Sequence, residues 1–151
     1  MGGGMRPRIL IVDDHEIVRE GVRGLIRRSR PEWEISGEAT NGQDAIEAVK
    51  KLRPDIVVLD ITMPVMSGLE ASALIADLDP RPRILMFTMH ESARLSTEVR
   101  QAKAQGYVLK SQAARNLIRA IERLLMGGEF FGPEPASGQF GGPPVNTSMT
   151  S

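Results

Sequence analysis

Segments of consecutive apolar residues alternate along the chain with stretches in which apolar residues recur every three or four positions. Five segments, bounded by charged or turn-forming residues, predict β-strands: residues 8–12, 33–39, 55–60, 83–88 and 106–110. Most of them are uninterrupted apolar runs, and only the second one alternates. An uninterrupted run is typical of a strand that is covered on both faces, as in a parallel sheet.

Apolar residues three and four positions apart predict a helix after each strand. The five stripes lie within residues 17–26, 45–52, 69–78, 91–105 and 117–125. Pro31 and Pro80 stop the first and third helices, because proline cannot continue a helix. Asn41 and Ser111 are placed to cap the second and the last helix. The stripe in residues 91–105 is thin, which predicts a weakly held fourth helix.

Five strand–helix units joined by right-handed crossovers predict a doubly wound α/β domain. Ligands of such sheets bind beyond the carboxyl ends of the strands, at the point where the strand order reverses. The predicted strand ends bring five polar residues to that edge: Asp13, Asp14, Asp60, Thr88 and Lys110. We therefore expect the functional site there.

These five residues favour phosphoryl chemistry. Three carboxylates at one edge repel one another unless a cation lies between them, and Mg²⁺ prefers carboxylate, water and phosphate oxygens. The ammonium of Lys110 and the hydroxyl of Thr88 can each interact with a phosphoryl oxygen. Asp60 stands at the end of the central strand and is the expected nucleophile, so the product would be an aspartyl phosphate.

Composition divides the 151 residues into a charged domain and an end that has no Lys or Arg and only two Glu residues. All 19 Lys and Arg residues lie at or before Arg123, whereas the last 25 residues contain six Gly and four Pro. We therefore predict a disordered extension over residues 1–5, a single domain over residues 6–126, and a linker or disordered tail over residues 127–151. Phe130 and Phe131 are apolar residues within this tail that could dock back on the domain.

Several classes of protein are excluded or disfavoured by composition. The chain has no cysteine, which excludes disulfide scaffolds and thiolate metal sites. Its net charge is zero, which argues against a strongly basic nucleic-acid-binding domain. No apolar run is long enough to span a bilayer, and the first five residues lack the apolar core of a signal peptide. We expect a cytoplasmic protein with no membrane partner.

The motifs together resemble the receiver domain of two-component response regulators. They are Asp13-Asp14 after RILIV, Asp60 in VVLDITMPVMSG, Thr88 in ILMFT, and Tyr107 and Lys110 in GYVLK. The finer pattern, with VDDHEIVREGV near the start and MGGEFFGPE after the last helix, is similar to the NarL/FixJ (LuxR-type) branch. The resemblance implies a flavodoxin-like sheet with strand order 2-1-3-4-5 and five helices.

The resemblance also implies roles for particular residues. Asp60 would accept a phosphoryl group from a sensor histidine kinase, and Lys110 would hold that group. Asp14, Asp60 and the main-chain carbonyl of Thr62 would bind Mg²⁺, with Asp13 helping through a water molecule. Thr88 and Tyr107 would change position together as a switch. His15 and His90 are interpreted as solvated loop residues near the mouth of the site.

Three functions can be compared for these residues. The first is a phosphorylated switch whose output is a protein contact, including a homodimer formed on phosphorylation. The second is the receiver part of a NarL/FixJ-type transcriptional regulator whose helix-turn-helix DNA-binding domain is absent from this chain. The third, an aspartyl-phosphate hydrolase, is disfavoured because Asp60-Ile61-Thr62 lacks the second Asp of a DxDxT pattern. We expect no enzyme activity beyond self-phosphorylation and dephosphorylation, and no DNA binding by this chain alone.

Overall fold

The fold consists of six strands and five α-helices that alternate along the chain. It is described here by a computed structural model that covers residues 6–131. The strands are β1 (Arg8–Val12), β2 (Glu34–Ala39), β3 (Ile56–Asp60), β4 (Arg83–Thr88), β5 (Gly106–Leu109) and β6 (Phe130–Phe131). The helices are α1 (Glu16–Ser29), α2 (Gly42–Leu52), α3 (Gly68–Ile75), α4 (Leu95–Gln101) and α5 (Ala113–Leu125).

All six strands belong to one parallel sheet, in the order β2-β1-β3-β4-β5-β6. Apolar side chains form a core on each face: α2, α3 and α4 cover one face, and α1 and α5 cover the other. This double cover explains why β3 is buried at every position. The doubly wound fold and the strand order 2-1-3-4-5 are therefore confirmed, with one strand added.

The added strand is formed by two residues that sequence reasoning assigned to the Gly/Pro-rich tail. Phe130 and Phe131 pair in parallel with Gly106 and Tyr107 at the edge of the sheet. Phe130 is almost fully buried in the core beneath α1 and α5, which stabilises the docked segment by about 2 kcal/mol. The predicted extension at residues 1–5 and the rest of the predicted tail lie outside the described residues.

Two helices are shorter than the sequence pattern predicts. The fourth spans Leu95–Gln101 and not residues 91–105, because Lys103 adopts a positive φ of 67°, which an α-helix cannot continue through. The third ends at Ile75, before Leu78, whose amide donates to the Ile75 carbonyl in a tighter turn. Apolar spacing alone did not distinguish these turns from helix.

One predicted cap is confirmed and the other is wrong. The Asn41 side chain accepts a hydrogen bond from the Asp44 amide at the start of α2. Ser111 does not cap α5, because Lys110–Gln112 form a 3₁₀ turn that moves the helix start to Ala113. The same turn ends β5 at Leu109, so that Lys110 leaves the strand.

Among the described residues, no helix combines the length and apolar character needed to cross a bilayer.

Candidate phosphoryl-transfer site

The carboxyl ends of four parallel strands bring the predicted site residues to one edge of the sheet. Asp13 follows β1, Asp60 ends β3, Thr88 ends β4, and Lys110 follows β5. Asp13 is 1% exposed and Asp60 is 4% exposed. Two nearly inaccessible carboxylates at one place require a compensating cation, because an unpaired buried charge is strongly destabilising.

Lys110 supplies that positive charge. Its Nζ lies 2.7 Å from Oδ2 of Asp13 and 3.4 Å from Oδ1 of Asp60. This Oδ2 is buried, and among the described residues it has an ion-pair partner but no hydrogen-bond partner. A buried carboxylate oxygen with unused hydrogen-bonding capacity is suited to interact with a further cation or a water molecule.

The backbone around Asp13 is fixed on two sides. Its amide donates to the Ala39 carbonyl of β2, and its carbonyl accepts a hydrogen bond of 2.8 Å from Nη1 of Arg19. Oδ1 of Asp13 accepts a hydrogen bond of 2.9 Å from the His15 amide. These contacts hold the carboxylate at the site without using Oδ2. The contact of Arg19 with Asp13 was not predicted from the sequence. The available signal was the position of Arg19 about one helical turn into α1, which directly follows the acidic pair.

Four side chains could together hold a metal ion. Ligand atoms of Asp13, Asp14, His15 and Asp60 lie within 4.8 Å of one another. Nδ1 of His15 is 3.1 Å from Asp13 and 3.2 Å from Asp14, so this residue contacts the acidic pair although its side chain is largely exposed. The three carboxylates fit a hard divalent cation such as Mg²⁺, and the unused oxygen of Asp13 supports that fit.

The environment of Asp60 shifts the pKa of its carboxyl group. Burial raises the pKa of the Asp60 carboxyl above its usual range, and the negative charge of Asp13 raises it further. The charge and hydrogen bond of Lys110, together with a backbone hydrogen bond from Thr62, oppose this shift without cancelling it. The charged carboxylate is therefore less stable here than in water, and a bound cation would favour it.

The loop after Asp60 packs directly against the backbone of that residue. The Gly68 amide donates to the Ile61 carbonyl at 2.7 Å, and a Cβ at position 68 would lie 2.0 Å from the Asp60 carbonyl oxygen. Ser67 caps α3 by accepting a hydrogen bond from the Glu70 amide. Gly68 is therefore required because the loop and the strand end approach so closely.

Gly68→Ala should destabilise the protein by about 2 kcal/mol or more, because backbone must shift to admit the methyl group. Gly21→Ala is the matched control: nothing lies within 4 Å of a Cβ there, and alanine in a helix should stabilise by about 0.5–1 kcal/mol. Urea denaturation of both variants measures the difference. Equal stabilities would contradict the close packing at Asp60.

A cleft of about 330 Å³ opens onto the carboxylate group. Its lining includes Asp60, Thr62, Thr88, His90, His15 and Lys110. The structure thus brings Asp13, Asp14, Asp60, Thr62, Thr88 and Lys110 together as the sequence predicts. Tyr107 is placed differently: it is buried on β5, packs with α4, and does not line this cleft.

Comparison with known proteins shows to which family the chain belongs. Residues 9–122 match the model of the response regulator receiver domain. The transcriptional regulatory protein LnrK of Bacillus subtilis is 39% identical over 127 residues, which cover 84% of this chain and 57% of LnrK. The chemotaxis protein CheY of Thermotoga maritima is 34% identical over 80% of this chain and 98% of CheY.

A solved structure is also similar. The two-component response regulator of the LuxR family from Aurantimonas sp. SI85-9A1 has 42% identity and a TM-score of 0.80, covering 85% of this chain and 91% of that chain. The chain therefore belongs to the response regulator receiver domain family, and its relatives are of the NarL/LuxR type. It spans little more than half the length of the transcriptional regulators that it matches.

Proposed function

We propose that this receiver accepts a phosphoryl group on Asp60 from a sensor histidine kinase and passes the signal on through a changed protein contact. The observation that carries the proposal is the position of Asp60 at the end of β3, where it lines the cleft beside the acidic pair and lies 3.4 Å from the Lys110 ammonium. A nucleophile needs access to its substrate and nearby positive charge, and Asp60 lines the cleft beside the Lys110 ammonium. A bound cation would favour the anionic form that attacks.

In the proposed step, a carboxylate oxygen of Asp60 attacks the phosphorus atom of a phosphohistidine. The new O–P bond forms as the N–P bond breaks, and the imidazole nitrogen leaves with the bonding electron pair. The ammonium of Lys110 neutralises charge on the transferred oxygens, and the hydroxyl of Thr88 donates a hydrogen bond to them. Water would later hydrolyse the acyl phosphate, so the chain acts only on its own phosphorylation state.

Asp13, Asp14, Asp60 and the main-chain carbonyl of Thr62 would hold Mg²⁺, with Asp13 acting through a water molecule. When bound, Mg²⁺ would supply positive charge to the phosphoryl oxygens and offset the repulsion among the carboxylates. Asp13 is anchored by its backbone contacts and contributes the otherwise unused Oδ2, whereas Asp14 is more exposed and can adjust its position.

Incubation with acetyl phosphate tests the proposal directly. We expect the intact mass of residues 1–151 to increase by one phosphoryl group in the presence of Mg²⁺, and hydroxylamine to remove it, as it removes acyl phosphates. Chelation of Mg²⁺ should prevent the modification. A modification that resists hydroxylamine, or that forms equally well in a chelator, would contradict the proposed chemistry.

Mg²⁺ should raise the melting temperature, because an ion that binds only the folded state stabilises it. Asp14→Asn should reduce this increase by removing a proposed ligand. Asp77→Asn is the control, since Asp77 is exposed and contacts only the exposed Lys103, at 3.9 Å. A melting temperature that does not respond to millimolar Mg²⁺ in the unmodified protein would contradict the metal site.

A second candidate is the receiver part of a transcriptional regulator. The observation in its favour is that the chain covers only 57% of LnrK, a transcriptional regulatory protein. The match to 98% of CheY, a chemotaxis protein, instead supports the first proposal, in which the output is a changed protein contact. A homodimer formed on phosphorylation fits both candidates, and light scattering of the phosphorylated protein would detect it.

Residues 1–151 alone should not bind DNA sequence-specifically. Between residues 6 and 126 the chain has 19 basic and 17 acidic residues, far from the basic excess of a DNA reader. An anisotropy titration with promoter fragments at physiological salt measures this. Sub-micromolar, sequence-dependent binding would contradict the prediction, whereas weak binding that disappears with added salt reflects only counterion release.

A further inference from the structure

Residues 129–131 return to the sheet after α5 and contact both β5 and α4. The Phe130 amide donates to the Gln105 carbonyl at 3.0 Å, and Phe130 lies opposite Gly106 in the strand register. A Cβ on Gly106 would lie 2.1 Å from the Phe130 carbonyl oxygen, so glycine is needed for this approach. Residues 129–131 are therefore built into the edge of the sheet.

Phe131 covers Tyr107 from the solvent side. The two rings meet edge to face with centroids 6.2 Å apart, and the guanidinium of Arg100 lies 3.7 Å from the Phe131 ring centroid. Arg100 also forms an ion pair of 3.3 Å with Glu129. Both partners of that ion pair are more than half exposed, so it contributes little. The two ring contacts of Phe131, with Tyr107 and with Arg100, therefore carry most of the interaction.

Tyr107 is 5% exposed under this cover, although β5 would be the edge strand of the sheet without residues 129–131. A rotation of the Tyr107 ring toward solvent would require Phe131 or Arg100 to move. Phe130 and Phe131 pack on opposite faces of the sheet. Phe130 lies in the core beneath α5, whereas Phe131 packs with Tyr107 on the other face. Phe131 can therefore be changed without removing the anchor of the strand.

Tyr107 and the phosphorylation site share a strand. β5 leads directly into Lys110, and Thr88 at the end of β4 pairs with Leu109, two residues after Tyr107. On the proposed function, a phosphoryl group on Asp60 attracts both Lys110 and Thr88. The sequence resemblance implies that Thr88 and Tyr107 change position together, and such a movement would alter the space beside Tyr107 that Phe131 borders.

We propose that Phe131, held by Arg100, is a positioning residue that keeps Tyr107 buried and thereby couples residues 129–131 to the occupancy of Asp60. This inference rests on the proposed function. A phosphoryl group favours a buried Tyr107 if that ring fills the space that Thr88 leaves. By reciprocity, residues 129–131 then strengthen binding of a phosphoryl group, and an occupied site tightens their docking.

The test uses beryllium fluoride with Mg²⁺ as a phosphoryl mimic, titrated calorimetrically into residues 1–151. We expect Phe131→Ala to weaken its affinity by about fivefold or more. Phe131→Tyr should restore near-normal affinity, because it keeps the ring against Tyr107. Met126→Ala is the matched control: Met126 is a highly exposed apolar residue a few positions earlier in the chain, and its substitution should leave affinity unchanged.

Amide exchange gives a readout that a merely structural role would not change. In the unmodified protein, beryllium fluoride should slow exchange of the Phe130 amide, which bonds to Gln105, and this slowing should be lost in Phe131→Ala. If that variant unfolds, Arg100→Leu serves instead, because it removes the contact above the ring and leaves Phe131 in place.

The possible outcomes separate this inference from the proposed function. Failure of the unmodified protein to bind beryllium fluoride would contradict both. Normal binding by the unmodified protein, with the same affinity in Phe131→Ala and no change in Phe130 exchange, would overturn only the positioning role. Equal weakening in Phe131→Ala and Met126→Ala would also overturn it, because the effect would not depend on Tyr107.

Discussion

Lys110→Met is expected to lower the free energy of unfolding of the metal-free protein by about 3–5 kcal/mol at neutral pH. The substitution keeps the length of the side chain but removes the ammonium that lies 2.7 Å from Asp13 and 3.4 Å from Asp60. Both carboxylates are almost fully buried, so water replaces little of the lost positive charge. Urea denaturation in the presence of a chelator measures the loss.

Lys103→Met is the matched control for this substitution. Lys103 is an exposed lysine whose nearest carboxylate, that of Asp77, is 3.9 Å away and also exposed, so its loss should cost less than about 1 kcal/mol. Mg²⁺ should restore part of the stability of Lys110→Met, because a divalent cation can replace the missing charge. Equal stability of the two variants would show that Lys110 does not balance the buried carboxylates.

Asp60→Asn should abolish phosphorylation by acetyl phosphate and, in a chelator at neutral pH, raise the melting temperature by about 2–5 °C. An amide cannot form the acyl phosphate, which accounts for the first effect. The second follows from the raised pKa of Asp60, which shows that burial and the charge of Asp13 disfavour the carboxylate despite Lys110. Asparagine avoids that cost and keeps a similar shape.

The contribution of Asp60 to the stability of the folded protein depends on pH. The pKa of Asp60 is higher in the folded than in the unfolded protein, so its favourable contribution to stability exists at low pH and is lost as pH rises through the folded-state pKa. The advantage of Asp60→Asn should therefore be largest at neutral pH and shrink on acidification. Asp77→Asn, on the exposed surface, should show neither the stabilisation nor the loss of phosphorylation. A destabilised Asp60→Asn in the chelator would contradict this account.

The parts of the fold that the sequence predicted best are those set by local pattern. The uninterrupted run that ends at Asp60 could only be a strand covered on both faces, and this identified the central strand and its end. The site residues followed, because the carboxyl ends of parallel strands share one edge. Asn41 was recognised as a cap because its side chain acts within its own turn.

The features that the sequence did not predict depend on distant contacts or on backbone detail. Phe130 docks because Gly106, far away in the chain, lacks a side chain that would block it. The early end of α4 depends on a positive φ at Lys103, which apolar spacing does not encode. His15 is largely exposed beside the cleft, in agreement with its interpretation as a solvated residue, but apolar pattern could not predict that its Nδ1 contacts two carboxylates.

Locating the phosphoryl group tests most directly whether Asp60 is the phosphoacceptor. Borohydride reduction of the phosphorylated protein converts an aspartyl phosphate to homoserine, which tandem mass spectrometry can place on a single residue. We expect one homoserine, at position 60, with none in Asp60→Asn. Homoserine at Asp13 or Asp14, or a phosphoryl group retained on a serine or threonine after reduction, would contradict it.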